Sequence, residues 1–127
     1  MSFMTITAGV IMSMYMDAAQ NSESDYCYHA DIDSNRVVAQ YVYDQSKVSY
    51  GDTECLVLKP KIKHDYTYDS ENRLIARITS KWDGSEWQPR EKMEYEYLPT
   101  GCAVTLSRWD QLFRHFKQPV EKTVYSD

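Results

Sequence analysis

Residues 60–97, PKIKHDYTYDSENRLIARITSKWDGSEWQPREKMEYEY, read as strand, turn, strand, turn, strand. Leu74, Ala76, Ile78 and Trp82 alternate with Ile75, Arg77, Thr79 and Lys81. Further on, Met93, Tyr95 and Tyr97 alternate with Lys92, Glu94 and Glu96. Side chains of a strand point by turns to its two faces, so a period of two marks a half-buried antiparallel sheet. Ser70-Glu71-Asn72 suits a three-residue hairpin loop with Asn72 in the left-handed position. That loop predicts pairing of Tyr68 with Leu74 and of Tyr66 with Ala76. Pro99-Thr100-Gly101 predicts a similar loop with a left-handed Gly101 and Tyr97 opposite Ala103. Between them, Asp83-Gly84 suits a two-residue turn and Asp83–Glu86 a longer loop. The longer one is preferred because it sets Trp82 opposite Trp87.

The flanking sequence repeats the pattern. The form P-x-x-K-x-x-Y occurs at Pro60–Tyr66, Pro89–Tyr95 and Pro119–Tyr125, with prolines 29 and 30 residues apart, a spacing typical of repeated supersecondary units. An aromatic followed by Asp precedes each proline, at Tyr43-Asp44, Trp82-Asp83 and Trp109-Asp110, and the gap to the proline varies. Asn35-Arg36-Val37-Val38-Ala39 matches Asn72-Arg73-Leu74-Ile75-Ala76. Proline cannot donate to a ladder, so the three prolines belong at strand starts or bulges. The expected fold is all-β: an antiparallel meander of repeated hairpins forming a twisted sheet with one aromatic face. Strands are expected near 26–30, 36–43, 55–59, 61–69, 73–82, 87–98, 102–109 and 120–125, with 45–53 a polar loop. Leu112–Phe116 fits a strand or a helical turn.

Residues 1–19, MSFMTITAGVIMSMYMDAA, hold five of the six methionines, no Lys or Arg, and one charge, Asp17. An apolar run ending in small residues reads as a signal-peptide core with cleavage before Gln20. The missing basic start leaves a second reading, a buried strand or helix. Residues 20–127 form one domain, with Asn21–Asp25 a polar linker. The run is too short to span a bilayer, so the mature chain is expected to have no integral membrane segment. A net charge of −5 and scattered Lys and Arg argue against nucleic acid or anionic membrane as partners.

No nucleophile–base pair, phosphate loop or metal-ligand spacing stands out, so no catalytic residue, metal or cofactor is expected. Asp31–Asn35 begins like a calcium loop but places Arg36 where glycine is required. Cys27, Cys55 and Cys102 lack close spacing. They read as small buried residues on strands, or as one disulfide plus a free thiol in an oxidising compartment.

Eleven tyrosines and three tryptophans are the residues left to carry function. The registers above collect Tyr66, Tyr68, Leu74, Ala76, Ile78, Trp82, Trp87, Met93, Tyr95, Tyr97, Ala103 and Trp109 on one face and pair Arg73 with Glu96 on the other. A patch that large needs a cover. Trp82, Trp87 and Trp109, at strand ends, together with Tyr66 and Tyr95, are the candidate partner-binding or ligand-binding residues. The partner is expected to be another protein or a second copy, alternatively a glycan stacked on Trp and Tyr.

The order N-R-V-V-A, Y-x-Y-D-x-x-N-R-L, K-W-(loop)-E-W-x-P and M-E-Y-E-Y resembles a family of small secreted proteins of gut-dwelling Gram-negative bacteria, catalogued as domain of unknown function 3836. The resemblance covers Asn35–Tyr125. Tyr68–Leu74 more weakly resembles the tyrosine–aspartate repeats of bacterial toxin shells, which carry glycine where Asn72 stands. The resemblance implies export to the periplasm or beyond and an all-β repeat fold, and no activity, cofactor or catalytic residue.

Overall fold

The structure, a computed structural model, describes residues 5–20 and 25–126. The linker read at Asn21–Asp25 therefore lies outside the described residues except for Asp25. A helix, α1 (Ala8–Ala19), precedes eight strands: β1 (Tyr26–Asp33), β2 (Arg36–Tyr50), β3 (Thr53–Tyr68), β4 (Leu74–Trp82), β5 (Trp87–Leu98), β6 (Gly101–Asp110), β7 (His115–Phe116) and β8 (Glu121–Ser126). The strands form one antiparallel meander, β1-β2-β3-β4-β5-β6-β7, with β8 also pairing β6. The all-β reading holds, and no helix follows residue 20 among the described residues.

Local chemistry sets the turns. Asn72 is left-handed (φ 60), and Asp69 Oδ1 accepts from the backbone N–H of Glu71 and of Arg73, both at 2.9 Å. Asp83 Oδ1 accepts from Ser85 N–H at 2.8 Å and Glu86 N–H at 2.9 Å. Asp110 Oδ1 repeats this on Leu112 and Phe113 N–H, both at 3.0 Å. The aromatic–Asp marker thus has a cause: the carboxylate closes the loop that follows β4 and β6. Those donors hold the Asp83 pKa down at about 2. The prolines stand where a missing N–H does least harm. Pro60 and Pro89 each precede an extra, unpaired residue, Lys61 and Arg90, and Pro119 precedes β8.

Three registers differ from expectation by one residue. In one of them Trp82 pairs Trp87 as expected, but the extra residue Arg90 then sets Met93 opposite Arg77, not Ala76. Tyr68 pairs Leu74 as expected, but Ile75 bulges and Tyr66 then meets Arg77, not Ala76. The turn at Pro99-Thr100 has two residues, Gly101 is not left-handed, and Tyr97 pairs Cys102. A slip of one residue exchanges faces, so the single aromatic face becomes two. Tyr66, Arg77, Met93 and Leu106 form one row, and Tyr95 and Tyr97 share their face. Trp82, Trp87 and Trp109 lie on the other. Ala76, Ile78 and Ala103 also leave the tyrosine side.

The tyrosine side is the one α1 covers. Thr7 caps the helix through its Oγ1, which accepts from Val10 N–H at 3.3 Å. Ile6 and Thr7 join the sheet at the head of β4: Leu74 N–H donates to the Ile6 carbonyl and Ala8 N–H to the Asn72 carbonyl, both at 2.8 Å. Ile11, Val37 and Leu74 form the buried cluster, with Met12, Tyr15, Tyr66, Tyr68 and Tyr95 packed around it. Burial pushes the Tyr68 and Tyr97 phenols up to about 12. Both hydroxyls stay partnered, Tyr68 donating to the Val37 carbonyl at 2.7 Å and Tyr97 lying 2.6 Å from the Leu74 carbonyl. Arg73 pairs Asp69 at 2.8 Å and Glu71 at 3.1 Å, not Glu96.

The expected loop 45–53 is strand on both sides of a tight turn at Gly51 (φ 61) and Asp52. Gln45–Tyr50 pairs with Thr53–Leu58 as a two-stranded arm. Residues 45–53 are polar enough to resemble a loop because neither face of this part of the arm meets the core.

Candidate functional site

Three ring contacts cross the tryptophan side of the sheet. Trp82 and Trp87, paired at the end of the β4–β5 hairpin, meet edge to face at 5.2 Å. Trp87 reaches back over β4 and β3 to Tyr41, 6.0 Å away, and Tyr41 meets its register partner His29 at 5.9 Å. Ser80, paired with Lys63 and Pro89 along this path, is buried. The rings are tilted by 33°, 55° and 68°, not coplanar. Lys63 Nζ stands 5.3 Å over the Tyr41 ring. The Tyr41 hydroxyl donates to Asp31 at 2.9 Å, and burial with that carboxylate raises its pKa.

Trp109 forms a second centre. It meets Phe116, its register partner, edge to face at 4.9 Å, and Lys92 Nζ lies 4.9 Å over that phenyl ring. Trp109 Nε1–H donates to Gln111 at 3.1 Å, Gln111 Nε2–H to Gln88 at 3.2 Å, and Gln88 Nε2–H to Asp83 at 2.9 Å. This relay ties Trp109 to the Trp82–Trp87 loop along an open cavity of about 300 Å³. Across the sheet, chiefly on the tyrosine side, an open cavity of about 430 Å³ is lined by Trp109, Thr79, Lys81, Arg90, Glu91, Arg108 and Lys117. Four cations face one acid there, and that acid, Glu91, already pairs Arg108 at 3.8 Å.

The five candidate residues are therefore divided. Trp82, Trp87 and Trp109 share one face, each half-buried. Tyr66 and Tyr95 lie across the sheet beside α1. Sequence reasoning missed Tyr41 and Lys63. The signal that could have found them is the N-R-V-V-A repeat, which aligns β2 with β4 but says nothing of which rings touch. Of the cysteines only Cys102 is buried, Cys27 is half-buried and Cys55 exposed, and all three thiols are free. Among the described residues no three His, Cys, Asp or Glu side chains gather to hold a metal ion. No described helix is long and apolar enough to cross a membrane.

His64, on the tyrosine side, places Nδ1 2.9 Å from Thr79 Oγ1. Burial and the Arg77 charge lower its pKa from 6.5 to about 4. A pKa depressed by folding means the unfolded chain binds the proton more readily, so this contribution is whole above pH 6.5 and is lost as pH falls towards 4. His64→Gln is expected to flatten the stability profile across that window, measured by urea unfolding at each pH. An unaltered slope would exclude His64 as its source.

The profile of a family of unknown function, DUF3836, matches residues 1–127. Three solved structures share the fold. A DUF3836 protein from Bacteroides vulgatus ATCC 8482 is 18% identical with a TM-score of 0.68, covering 81% of this chain and 100% of its own. A second DUF3836 protein, from Parabacteroides distasonis ATCC 8503, is 18% identical with a TM-score of 0.64, covering 80% and 90%. A protein with unknown function from Bacteroides fragilis NCTC 9343 is 17% identical with a TM-score of 0.66, covering 84% and 74%. No curated protein matches the sequence. The chain belongs to the DUF3836 family.

Proposed function

We propose that this is an exported, non-enzymatic binding protein whose tryptophan side is covered by a protein partner. The observation that carries this reading is the tilted ring line from Trp82 through Trp87 and Tyr41, each half-buried, to the exposed His29. Sugar rings stack best on aromatic faces laid flat to the surface, whereas rings packed edge to face resemble half of a core, awaiting its other half. The alternative, a glycan stacked on the same indoles, uses the same residues and is separated by experiment.

Trp82→Ser and Trp109→Ser are expected to stay folded, losing well under the ~3–5 kcal/mol of a fully buried aromatic. Both are expected to fail to capture the protein that the wild-type chain cross-links in the host envelope. Saturable binding on a glycan array, lost in the same variants, would give the site to carbohydrate. Collapse of both variants on melting would make the tryptophans core and remove the site.

A further inference from the structure

We infer that the β2–β3 arm is a dimerisation element, pairing the outer edge of Thr53–Lys59 with the same edge of a second copy. The inference is independent of the tryptophan side. The pairing of β1 with β2 starts at Tyr26 opposite Asp44, and the pairing of β3 with β4 starts at Ile62 opposite Lys81. Between those limits the arm is a ribbon that no other described strand flanks. A two-stranded ribbon alone is marginal in water. This one nevertheless carries large apolar side chains in the open: Tyr50 is 66% exposed, Leu56 55% and Leu58 44%.

The repeat shows that the arm is an addition. Between the aromatic–Asp marker and the following proline lie residues 45–59 in the first unit, 84–88 in the second and 111–118 in the third. The latter two are closed by Asp83 and Asp110, while the chain runs past Asp44 into the ribbon. Extended loops on a rigid sheet are where binding is usually placed.

The occupant follows from the edges. β1 bears His29, Asp31 and Asp33, and β8 bears Glu121 and Lys122, charges that discourage edge pairing. The β2 side of the arm is interrupted by Lys47 among serines. The β3 side reads Thr-Glu-Cys-Leu-Val-Leu-Lys, apolar through its centre and ended by Pro60 and the bulge at Lys61. Glu54 stands at one end and Lys59 at the other. Antiparallel pairing about an axis at Leu56 sets Glu54 opposite the partner's Leu58, with the partner's Lys59 next along the strand, so the acidic end of each copy lies near the basic end of the other. Parallel in-register pairing would set Glu54 against Glu54 and Lys59 against Lys59. A two-fold axis near Leu56 or Val57 uses the same edge of both copies and leaves the blunted side outward, so association closes at two.

Sedimentation velocity of the full chain under reducing conditions is expected to show a dimer at tens of micromolar. Leu56→Glu and, separately, Val57→Lys are expected to shift it to monomer, with melting within a few degrees of wild type because the arm has no core contacts. A short bismaleimide is expected to link wild-type copies and to fail with Cys55→Ser. Trp87→Ser is expected to leave the dimer intact, which separates this inference from the tryptophan-side reading. A monomeric wild type, a dimer indifferent to both edge charges, or cross-linking that survives Cys55→Ser would each overturn it. Should either edge variant misfold, the cross-link comparison still decides.

Discussion

Replacing Leu74 with alanine is expected to lower the unfolding free energy of the full chain by about 2–5 kcal/mol. Leu74 is 1% exposed and, with Val37 and Ile11, forms a cluster of buried apolar side chains joining sheet to helix. Among the described residues the strands make a single sheet, with no second layer of strands to relax into the space. The residues around Leu74 are pinned by hydrogen bonds: its own N–H is held by the Ile6 carbonyl and its carbonyl lies 2.6 Å from the Tyr97 hydroxyl. The cavity is therefore expected to stay open, and the cost to fall in the upper part of the range. Against a total stability of about 5–15 kcal/mol for small domains, that is a large share. Urea unfolding followed by circular dichroism checks it. Leu112→Ala, at a position 82% exposed, is the control and is expected to change stability by no more than about 0.5 kcal/mol. Equal midpoints for Leu74→Ala and wild type would show that the cluster is not the core.

The second large effect concerns residues 1–19. Under the export proposal, protein recovered from its host begins at Gln20, and mass spectrometry of an intact Met1 form in the cytoplasm would refute that. The processed chain loses α1 and with it the burial of Ile11, a change of roughly 1.5–3 kcal/mol, and Leu74 loses its cover. A chain starting at Gln20 is therefore expected to melt roughly 10 °C lower than the full chain and to bind more of an apolar dye. It is still expected to keep its sheet. The uncovered face is built chiefly from tyrosines, whose hydroxyls tolerate water. The Tyr68 bond to the Val37 carbonyl and the Tyr97 contact with the Leu74 carbonyl lie within the remaining chain, while Tyr97 loses its second acceptor, the Ile6 carbonyl at 3.2 Å. An unchanged melting point would mean that α1 contributes nothing to the fold. Complete unfolding would mean that the helix is part of the mature domain, and the cleavage proposal would fail with it.

Period-two alternation, turn residues and the threefold repeat determined the strands, their antiparallel order and the loops at Asp69–Arg73 and Asp83–Glu86, because each depends on residues close in the chain. The proline positions were legible for the same reason: a missing N–H is a local fact. The first strand of the arm was not, since residues 45–53, exposed on both faces, have the composition of a loop, whereas its second strand was legible at 55–59. Which face each aromatic occupies belonged to the tertiary structure alone. Ile75 is an ordinary strand residue, and nothing in its neighbours announces that it bulges; yet that one bulge sets Tyr66 opposite Arg77 instead of Ala76. Because a strand exchanges faces with every residue of slip, small irregularities divided the aromatics into a tyrosine side under α1 and a tryptophan side in the open. Residue type said that tyrosine and tryptophan would carry the interactions, and only the summed registers of the sheet decided which of them meet.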